Sequence, residues 1–337
     1  MEAKYYIKKE HSNSVQCLLC PHNCTIQDGN SGICKVRTNN NGILISDNYN
    51  IVSSMGFDPI EKKPLYHYCP GAVILSVGSL GCNLQCKFCQ NWQISQTSVR
   101  ESNRMFEKIN PGKIVELALT NKKNIGIAYT YNEPTVFYEY MIDTAEKAKK
   151  ENLKNVMVTN GFINIEPLNQ LNQFIDAYSV DLKAFNDKFF IEYTKSRLDP
   201  VKQALLNMVK AEKHVEITNL VIPGLNDDPD EFEQMVKWIK VNLGKNIVLH
   251  ISKYYPTYKL NIEPTPVEKM LELHAIAKQY LNHVFLGNVM LPDGNNTQCP
   301  KCNEVLINRS GYYTKRESIS SEGKCLKCGE HVLKYLN

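Results

Sequence analysis

The 337-residue sequence lacks the features of several protein classes. It contains no run of eighteen apolar residues, so we expect no transmembrane helix. Its first residues, MEAKYYIKKEHS, have neither the apolar core nor the small-residue cleavage site of a signal peptide. The formal net charge of +4 is too small to indicate a nucleic-acid partner by itself. These absences predict a globular cytoplasmic protein.

Cysteine, by contrast, is abundant, with twelve residues in the chain. Cytoplasmic cysteines rarely form disulfides and more often bind metals or react as thiols. Cys69 stands alone and is expected to be an inert buried thiol, the usual fate of a single cysteine. The others fall into three sets: an N-terminal set of Cys17, Cys20, Cys24 and Cys34, a central set of Cys82, Cys86 and Cys89, and a C-terminal set of Cys299, Cys302, Cys325 and Cys328.

The middle of the chain alternates between short apolar runs and amphipathic stretches. The apolar runs are rich in β-branched residues and cover 72–78, 124–131, 155–160, 177–183, 215–222, 246–253 and 283–289. Such runs are typical of strands that are covered on both faces. The repeated strand, helix, strand order predicts an α/β fold with parallel strands, either an open doubly wound sheet or a complete or partial barrel. In each case, reactive groups are expected at the C-terminal strand ends.

Two of the amphipathic stretches carry clear helix signals. Acidic residues crowd 228–233, and Gly244 follows the apolar stripe, so a helix is predicted between them. The sequence Thr265-Pro266-Val267-Glu268 predicts a capping box with proline at the first helical position of another helix.

The central set lies in the sequence CNLQCKFC, directly after the first predicted core strand. This CX3CX2C loop, with Cys82, Cys86 and Cys89, can hold three irons of a [4Fe-4S] cubane and leave the fourth iron without a protein ligand. An open iron is able to bind a small molecule, so the missing thiolate predicts chemistry rather than electron storage. The alternative is a zinc site that a fourth thiol, such as Cys69, closes.

The two outer sets are also predicted to bind metals. The C-terminal set consists of two CX2C pairs separated by 22 residues, which is typical of a structural zinc site. A rubredoxin-like iron is the alternative there. The N-terminal set has the spacing CX2CX3CX9C and is expected to close a four-thiolate site for zinc or for an auxiliary iron-sulfur cluster.

The motif CNLQCKFC is similar to the signature of the radical S-adenosylmethionine (radical SAM) superfamily. Together with YTYNEPT, VDLKAF, VIPGLND, HISKYYPTYKL and the two outer sets, it makes the chain resemble the AmmeMemoRadiSam-system radical SAM enzymes, relatives of the glycyl-radical-enzyme activating enzymes. The resemblance implies a partial (β/α)6 TIM-like barrel. We accordingly predict a cysteine-rich metal-binding segment (1–70), a radical SAM core (71–295) and a zinc-ribbon-like segment (296–337).

The resemblance also implies the cofactors and their contacts. Cys82, Cys86 and Cys89 would ligate a [4Fe-4S] cluster that binds S-adenosylmethionine. Eight further residues are implied to contact S-adenosylmethionine: Phe88, Asn132, Glu133, Thr159, Asn160, Asp181, Lys183 and His250. Phe88 would lie against the adenine, Asn132 and Glu133 at the methionine ammonium, Lys183 at the methionine carboxylate and His250 at the ribose.

The implied activity is reductive cleavage of S-adenosylmethionine to a 5′-deoxyadenosyl radical, which abstracts hydrogen from an unidentified small molecule or protein. Implied partners are an electron donor such as ferredoxin or flavodoxin and proteins of the AMMECR and Memo types, without a membrane. One alternative is an activase that installs a glycyl radical on a partner enzyme. Another is an RNA-binding or RNA-modifying protein, although residues 296–337 carry only seven Lys/Arg against four Glu, and their three tyrosines are few for base stacking.

Overall fold

The structure is a computed structural model that describes residues 1–9, 12–102, 106–289 and 295–336. Its N-terminal part contains short strands: β1 (Tyr6–Lys8), β2 (Val15–Cys17), β3 (Thr25–Ile26), β4 (Arg37–Asn40), β5 (Ile43–Ser46), β6 (Ile51–Val52) and β7 (Ser54–Pro59). Strands β1 to β3 form an antiparallel sheet, and β4 pairs with β5. These small sheets hold the loops that carry the N-terminal set.

The core is one large sheet. The next strands are β8 (Val73–Gly78), β9 (Glu107–Lys108), β10 (Asn124–Tyr129), β11 (Lys154–Thr159), β12 (Ala177–Asp181), β13 (His214–Val221), β14 (Val248–Lys253) and β15 (His283–Gly287). Strand β9 pairs with β6, and the others form a sheet in the order β15-β14-β13-β12-β11-β10-β8-β7, where every pair is parallel except β7 with β8. The parallel strands coincide with the apolar runs of the sequence, because a strand that is covered on both faces needs apolar side chains on both.

Helices connect successive parallel strands. They are α1 (Trp92–Ser95), α2 (Pro111–Thr120), α3 (Tyr138–Lys150), α4 (Ile165–Leu171), α5 (Asp187–Phe189), α6 (Leu198–Lys210), α7 (Pro229–Asn242) and α8 (Val267–Lys278), with short 3-10 helices at Ile60–Lys62 and Pro134–Phe137 and a π-helical turn at Phe190–Thr194. The predicted start of α7 is confirmed, since the Asp228 carboxylate caps it by accepting hydrogen bonds from the backbone N–H groups of Asp230 and Glu231.

The capping box predicted at 265–268 is wrong. The Thr265 hydroxyl instead accepts a hydrogen bond from Tyr254 N at 2.9 Å and donates one to Val221 O at 2.6 Å. These bonds join the loops after β13 and β14, so Thr265 ties the sheet edge together while α8 begins at Val267 without a side-chain cap.

The sheet curves into a barrel that is open between β7 and β15. The segment after β7 crosses this opening: Lys63 Nζ lies 2.7 Å from Asp58 Oδ2 of β7, and the Tyr66 ring lies 4.9 Å from the Phe285 ring of β15. The predicted α/β fold with a partial barrel is thereby confirmed. The boundary predicted at residue 70 falls between β7 and β8, which are paired strands of this sheet.

The C-terminal part is a small sheet of β16 (Thr297–Gln298), β17 (Val305–Ser310) and β18 (Tyr313–Arg316). It docks on the segment after β7 through the buried Arg309. The Arg309 guanidinium donates to Tyr66 O at 2.6 Å and to Thr297 Oγ1 at 2.9 Å, and its Nε lies 3.9 Å from Glu61 Oε1. Among the described residues, every helix is too short or too polar to span a bilayer.

Candidate functional site

A cavity of about 510 Å³ opens at the C-terminal ends of the parallel strands. Parallel strands all end at the same edge of their sheet, so the loops that follow them converge there. Ten predicted site residues line this cavity: Cys82, Cys86, Phe88, Cys89, Asn132, Glu133, Thr159, Asn160, Asp181 and Lys183. Residues from the ends of four strands, separated by a hundred positions in sequence, therefore face one space.

The central set is held by a loop with a defined backbone. Gly81 has a φ of +83°, which favours glycine, and turns the chain away from β8 into the loop. The backbone N–H groups of Gln85 and Lys87 donate to the carbonyls of Thr194 and Tyr193, both at 2.9 Å. These bonds fix the loop against the π-helical turn and aim the three sulfurs at the cavity.

Burial changes the acidity of the three thiols. It raises the pKa of Cys86 to about 12, and it raises the pKa of Cys82 and Cys89 as well. A buried thiolate is unfavourable because little solvent compensates its charge. Two donors already face the Cys82 sulfur, namely Leu84 N at 3.3 Å and Asn160 Nδ2 at 3.8 Å. A cationic metal core is what such a site needs to hold its sulfurs as thiolates.

A fourth thiol does not complete this site. Cys69 is buried in a separate apolar cluster with Ile60, Leu65 and Tyr68, and it does not line the cavity. The zinc alternative for the central set thus loses its proposed ligand. Within the described residues, the buried Thr218 hydroxyl of the cavity wall has no hydrogen-bond partner, so the wall retains polar capacity for a ligand. Three thiolates and a polar wall fit a [4Fe-4S] cluster with an open iron and a bound cofactor.

Asn132 connects the end of β10 to the cluster loop. Its Oδ1 accepts a hydrogen bond from Ser79 N at 3.0 Å, and its Nδ2 donates to Gly81 O at 2.8 Å. These two bonds hold the backbone on which Cys82 lies. The side-chain amide of Asn132 is thus engaged with the protein and positions the loop.

Glu133 joins the ends of β10 and β11. Its Oε1 accepts hydrogen bonds from Thr135 N at 3.0 Å, Thr135 Oγ1 at 2.6 Å and Thr159 Oγ1 at 2.8 Å, and its Oε2 accepts one from Asn160 N at 2.8 Å. Burial nevertheless raises the pKa of Glu133 above its ordinary value. Oε1 accepts three of these bonds and Oε2 only one, so Oε2 is the oxygen with acceptor capacity left for a cationic ligand.

Tyr131, just before Asn132, has a φ of +71°, in the left-handed region that glycine adopts readily. Its carbonyl accepts a hydrogen bond from Asn91 Nδ2 at 2.7 Å, and its hydroxyl donates to Asp58 Oδ2 at 3.0 Å. These bonds offset the strain of about 1–2 kcal/mol that a non-glycine residue bears there. The turn therefore holds Tyr131 in a backbone conformation that glycine adopts more readily.

Asp181 and Lys183 form an ion pair at the end of β12. Lys183 Nζ lies 2.8 Å from Asp181 Oδ2 and 5.9 Å from the centre of the Phe88 ring. Burial alone lowers the pKa of Lys183, but the charges of Asp181 and Cys86 raise it above its ordinary value. The lysine is accordingly a fixed positive charge beside the cluster loop and the buried aromatic ring.

The structure does not bring His250 to this cavity. The imidazole Nε2 lies 2.7 Å from Glu216 Oε2, and the ring packs against Tyr66 and Phe285. Burial alone raises the pKa of Glu216, but hydrogen bonds from His214 and His250 hold it well below its usual range. His250 points into the barrel two residues before Ser252, which does line the cavity, so its placement does not support the predicted ribose contact.

Further cavity residues were not predicted from the sequence: Lys62, Lys63, Pro64, Tyr131, Thr218, Leu220, Ser252, Asn288 and Tyr312 are among them. Thr218 and Ser252 lie near the ends of β13 and β14. The rule that places reactive groups at strand ends could have identified them. Lys62 and Tyr312 come from the segment after β7 and from the C-terminal sheet, and no local pattern marks them.

The two outer sets differ in geometry. Among the described residues, the C-terminal set is the group of metal-ligand side chains whose donor atoms all lie within 4.8 Å of one another. Its sulfurs are 3.5 Å apart between Cys299 and Cys328 and 3.7 Å apart between Cys302 and Cys325. A four-thiolate metal site is therefore present there, suited to zinc or iron. Within the described residues, the N-terminal set forms no such close group, and it lines a cavity of its own.

Comparison with known proteins agrees with this site. The sequence profile of the radical SAM superfamily matches residues 76–239. The chain is 39% identical to the uncharacterized protein MJ0808 of Methanocaldococcus jannaschii over 98% of each chain. It is 23% identical to the pyruvate formate-lyase 1-activating enzyme of Escherichia coli K12, over 59% of this chain and 86% of that enzyme.

The fold is similar to that of a radical SAM methyltransferase from Sphaerobacter thermophilus. The superposition has a TM-score of 0.51 and 15% sequence identity, and it covers 64% of this chain and 66% of that protein. Membership of the superfamily implies a [4Fe-4S] cluster and S-adenosylmethionine, which the central set and the cavity fit. The chain belongs to the radical SAM superfamily, as an enzyme related to the pyruvate formate-lyase activating enzymes.

Proposed function

We propose that this chain is a radical SAM enzyme of the AmmeMemoRadiSam type that acts on an unidentified small molecule or protein. The supporting observation is the convergence of three thiols and seven predicted cofactor contacts on one cavity of about 510 Å³. When bound, the cluster and S-adenosylmethionine supply a 5′-deoxyadenosyl radical that abstracts hydrogen. The subtype rests on the resemblance of the sequence motifs and on the two outer cysteine sets.

In this proposal, the residues at the cavity fall into groups with different tasks. Cys82, Cys86 and Cys89 hold three irons, and Asn132 keeps their loop in place through Ser79 and Gly81. A hydrogen-bonded loop of this kind lowers the cost of organising the site each time a ligand binds.

The polar groups opposite the cluster loop would orient the methionine part of the cofactor. Glu133 Oε2 has an acceptor site for an ammonium, and Lys183 supplies a fixed positive charge for a carboxylate. Their separation on β10 and β12 suits a ligand that carries both charges, because each group disfavours the wrong end of the ligand. Phe88, which is 5% exposed, offers an apolar face for adenine.

The proposed partners follow from the assignment of the chain to the AmmeMemoRadiSam type. A one-electron donor of the ferredoxin or flavodoxin class would reduce the cluster, and proteins of the AMMECR and Memo types would act in the same system. The family resemblance is what supports these partners.

The test is product formation from S-adenosylmethionine. The protein, reconstituted with iron and sulfide without oxygen, should release 5′-deoxyadenosine when dithionite and S-adenosylmethionine are added. Cys86→Ala should abolish the release because it removes one of three cluster ligands, whereas Cys69→Ala, which changes a thiol outside the cavity, should retain it. Release that survives in Cys86→Ala, or is absent from the wild-type protein, contradicts the proposal.

A second candidate is a glycyl-radical-enzyme activase, because the similarity to the Escherichia coli activating enzyme covers 86% of that enzyme. An activase transfers the radical to a backbone glycine of a partner. Adding pyruvate formate-lyase to the reaction and recording the electron paramagnetic resonance spectrum tests this. A glycyl signal supports the activase, and 5′-deoxyadenosine without that signal favours the first proposal.

A further inference from the structure

The N-terminal set surrounds a cavity of about 20 Å³. The four cysteines face this space together with a few other side chains, among them Leu19, Ile26, Arg37, Thr135 and Val136. The space is larger than the roughly 10–15 Å³ that holds one water molecule. Its lining is largely apolar, and a trapped water needs two to four polar partners. A single water therefore does not account for it.

The sulfur spacing argues against a single metal ion here. Tetrahedral zinc, with bonds of about 2.3 Å, places its sulfurs about 3.8 Å apart. The C-terminal set matches this with separations of 3.5 and 3.7 Å. The N-terminal sulfurs form no comparable group within 4.8 Å, although residues 12–102 are described throughout. The sulfurs of the central set, which are the predicted ligands of the [4Fe-4S] cluster, also form no group within 4.8 Å. The N-terminal sulfurs therefore resemble cluster ligands in their spacing.

Backbone N–H groups lie near three of these sulfurs: that of His22 near Cys20, that of Ile33 near Cys24 and that of Val36 near Cys34. Polar groups near the sulfurs are one means by which proteins tune iron-sulfur clusters.

Arg37 supplies a second, independent observation. The residue is 1% exposed, and its Nη1 lies 3.0 Å from Glu139 Oε1. Within the described residues, however, its buried Nε has no hydrogen-bond partner. An unpaired buried N–H costs about 1–3 kcal/mol. Because Arg37 lines the cavity, an anionic group there would give this N–H an acceptor.

We propose that the N-terminal set binds a second [4Fe-4S] cluster with four thiolate ligands. A cubane spreads its four ligands over a larger tetrahedron than one zinc ion does, which matches wide sulfur spacing around an open space. Its sulfides accept hydrogen bonds, and a cluster with four thiolates is anionic, so it satisfies Arg37. This site is independent of the radical chemistry proposed above.

The site lies directly beside the cluster loop. A Cβ at Gly81 would lie 2.6 Å from Cys34 O, and His22 Nε2 lies 2.8 Å from Asn83 O. On the other side, Thr135 lines the N-terminal cavity and donates to Glu133, which lines the large one. The two clusters would thus be separated by one layer of residues.

The experiment is a metal count on a variant without the core cluster. Cys82→Ala/Cys86→Ala/Cys89→Ala, reconstituted without oxygen, should retain about four iron and four sulfide per chain, and the wild-type protein about eight of each. After reduction with dithionite, the triple variant should show the electron paramagnetic resonance signal of a [4Fe-4S]⁺ cluster. Adding Cys20→Ala and Cys34→Ala should remove this iron, whereas adding Cys69→Ala should not.

Two zinc ions per chain with less than one iron in the triple variant would overturn the proposal, as would an N-terminal set without metal. The wild-type count is a measurement that does not depend on the folding of any variant, and about four rather than eight iron there is also contradictory. Failure of the wild-type protein to release 5′-deoxyadenosine would bear on the proposed function and leave these counts unchanged, so the two failures are distinguishable.

Discussion

The two outer cysteine sets each have four thiols, yet they differ in spacing and in neighbours. The C-terminal sulfurs approach to 3.5 and 3.7 Å, whereas the N-terminal sulfurs surround a cavity of about 20 Å³. The C-terminal set lies in a small sheet of its own, and the N-terminal set packs against the cluster loop. The number of ligands therefore does not define a metal site; their spacing and surroundings do.

The largest effect should come from removing the C-terminal ligands. Cys302→Ala/Cys325→Ala takes one thiol from each CX2C pair, and binding of a structural metal by such a site contributes on the order of 10 kcal/mol. We expect the loss of one metal ion, which we predict to be zinc, and rapid proteolysis within 295–336. Elemental analysis and limited proteolysis measure both. Iron content should not change, and if iron falls while zinc remains, the contrast between the two sets is wrong.

The next largest loss of stability should come from removing Arg309, through which the C-terminal sheet docks on the rest of the chain. Arg309→Met leaves the buried Glu61 carboxylate without its cationic neighbour, which costs about 3–5 kcal/mol. Denaturant unfolding should show this loss. Because the charge of Glu61 is the cause, Glu61→Gln in the same chain should recover part of it. An Arg309→Met protein as stable as the wild type would mean that the buried pair does not hold the sheet.

A smaller loss of stability is expected at the contact between Gly81 of the cluster loop and Cys34 of the N-terminal set. Gly81→Ala places a Cβ 2.6 Å from Cys34 O and 2.8 Å from Val36 Cγ1, so we expect about 2–4 kcal/mol of destabilisation and reduced iron content.

Gly42→Ala is the matched control for this variant. Gly42 has a similar φ of +77° but nothing within 4 Å of its Cβ position. Its cost should be about 1–2 kcal/mol from backbone strain alone, without loss of iron. Equal iron contents in the two variants would show that the close contact at Gly81 is unimportant.

A prediction similar in size to that for Gly81 is a pH dependence near the C-terminal sheet. Burial lowers the pKa of His283 to about 4, and its ring lies 4.4 Å from that of His67, which pairs with Thr297. Between pH 6.5 and 4, the unfolded chain binds a proton that the folded chain rejects, so up to about 3 kcal/mol of stability is lost as the pH falls through this window. No such loss is expected above pH 6.5.

Thermal unfolding at several pH values checks this prediction. His283→Gln should reduce the slope between pH 6.5 and 4, because glutamine does not titrate, and the slope that remains should come from His67, whose pKa burial also lowers. A slope that is the same in both proteins would assign the acid sensitivity to other groups, such as the Glu216 carboxylate.

Local sequence was sufficient for much of the fold. Apolar runs marked all seven parallel strands because burial on both faces leaves a clear pattern, and Asp228 marked the start of α7. The pattern failed at Thr265, where tertiary partners took the hydroxyl that was expected to cap α8. Strand β7, SMGFDP, contains glycine and proline and is half exposed, so its antiparallel pairing with β8 depends on the sheet rather than on its own residues.

The candidate site was predictable to a similar degree. The family resemblance named seven cofactor-contact residues that line the cavity, and the rule that chemistry collects at strand ends predicted the edge of the sheet at which they meet. Lys63 and Tyr312 were missed because the fold carries them to the cavity from outside the core. The ribose contact of His250 was implied by the family resemblance and stays a prediction, whereas its depth in the barrel and its bond to Glu216 depend on packing that a single sequence does not reveal.

Tyr312 lies in the turn between β17 and β18, 54% exposed, and faces the large cavity from the C-terminal sheet. The turn is part of the same small sheet that the C-terminal set stabilises. Any substrate that gains free energy from touching this ring will bind more tightly when that set holds its metal. By thermodynamic reciprocity, the same substrate will raise the affinity of that set for its metal in competition with a chelator. Metal retention would then be an indirect assay for substrate occupancy.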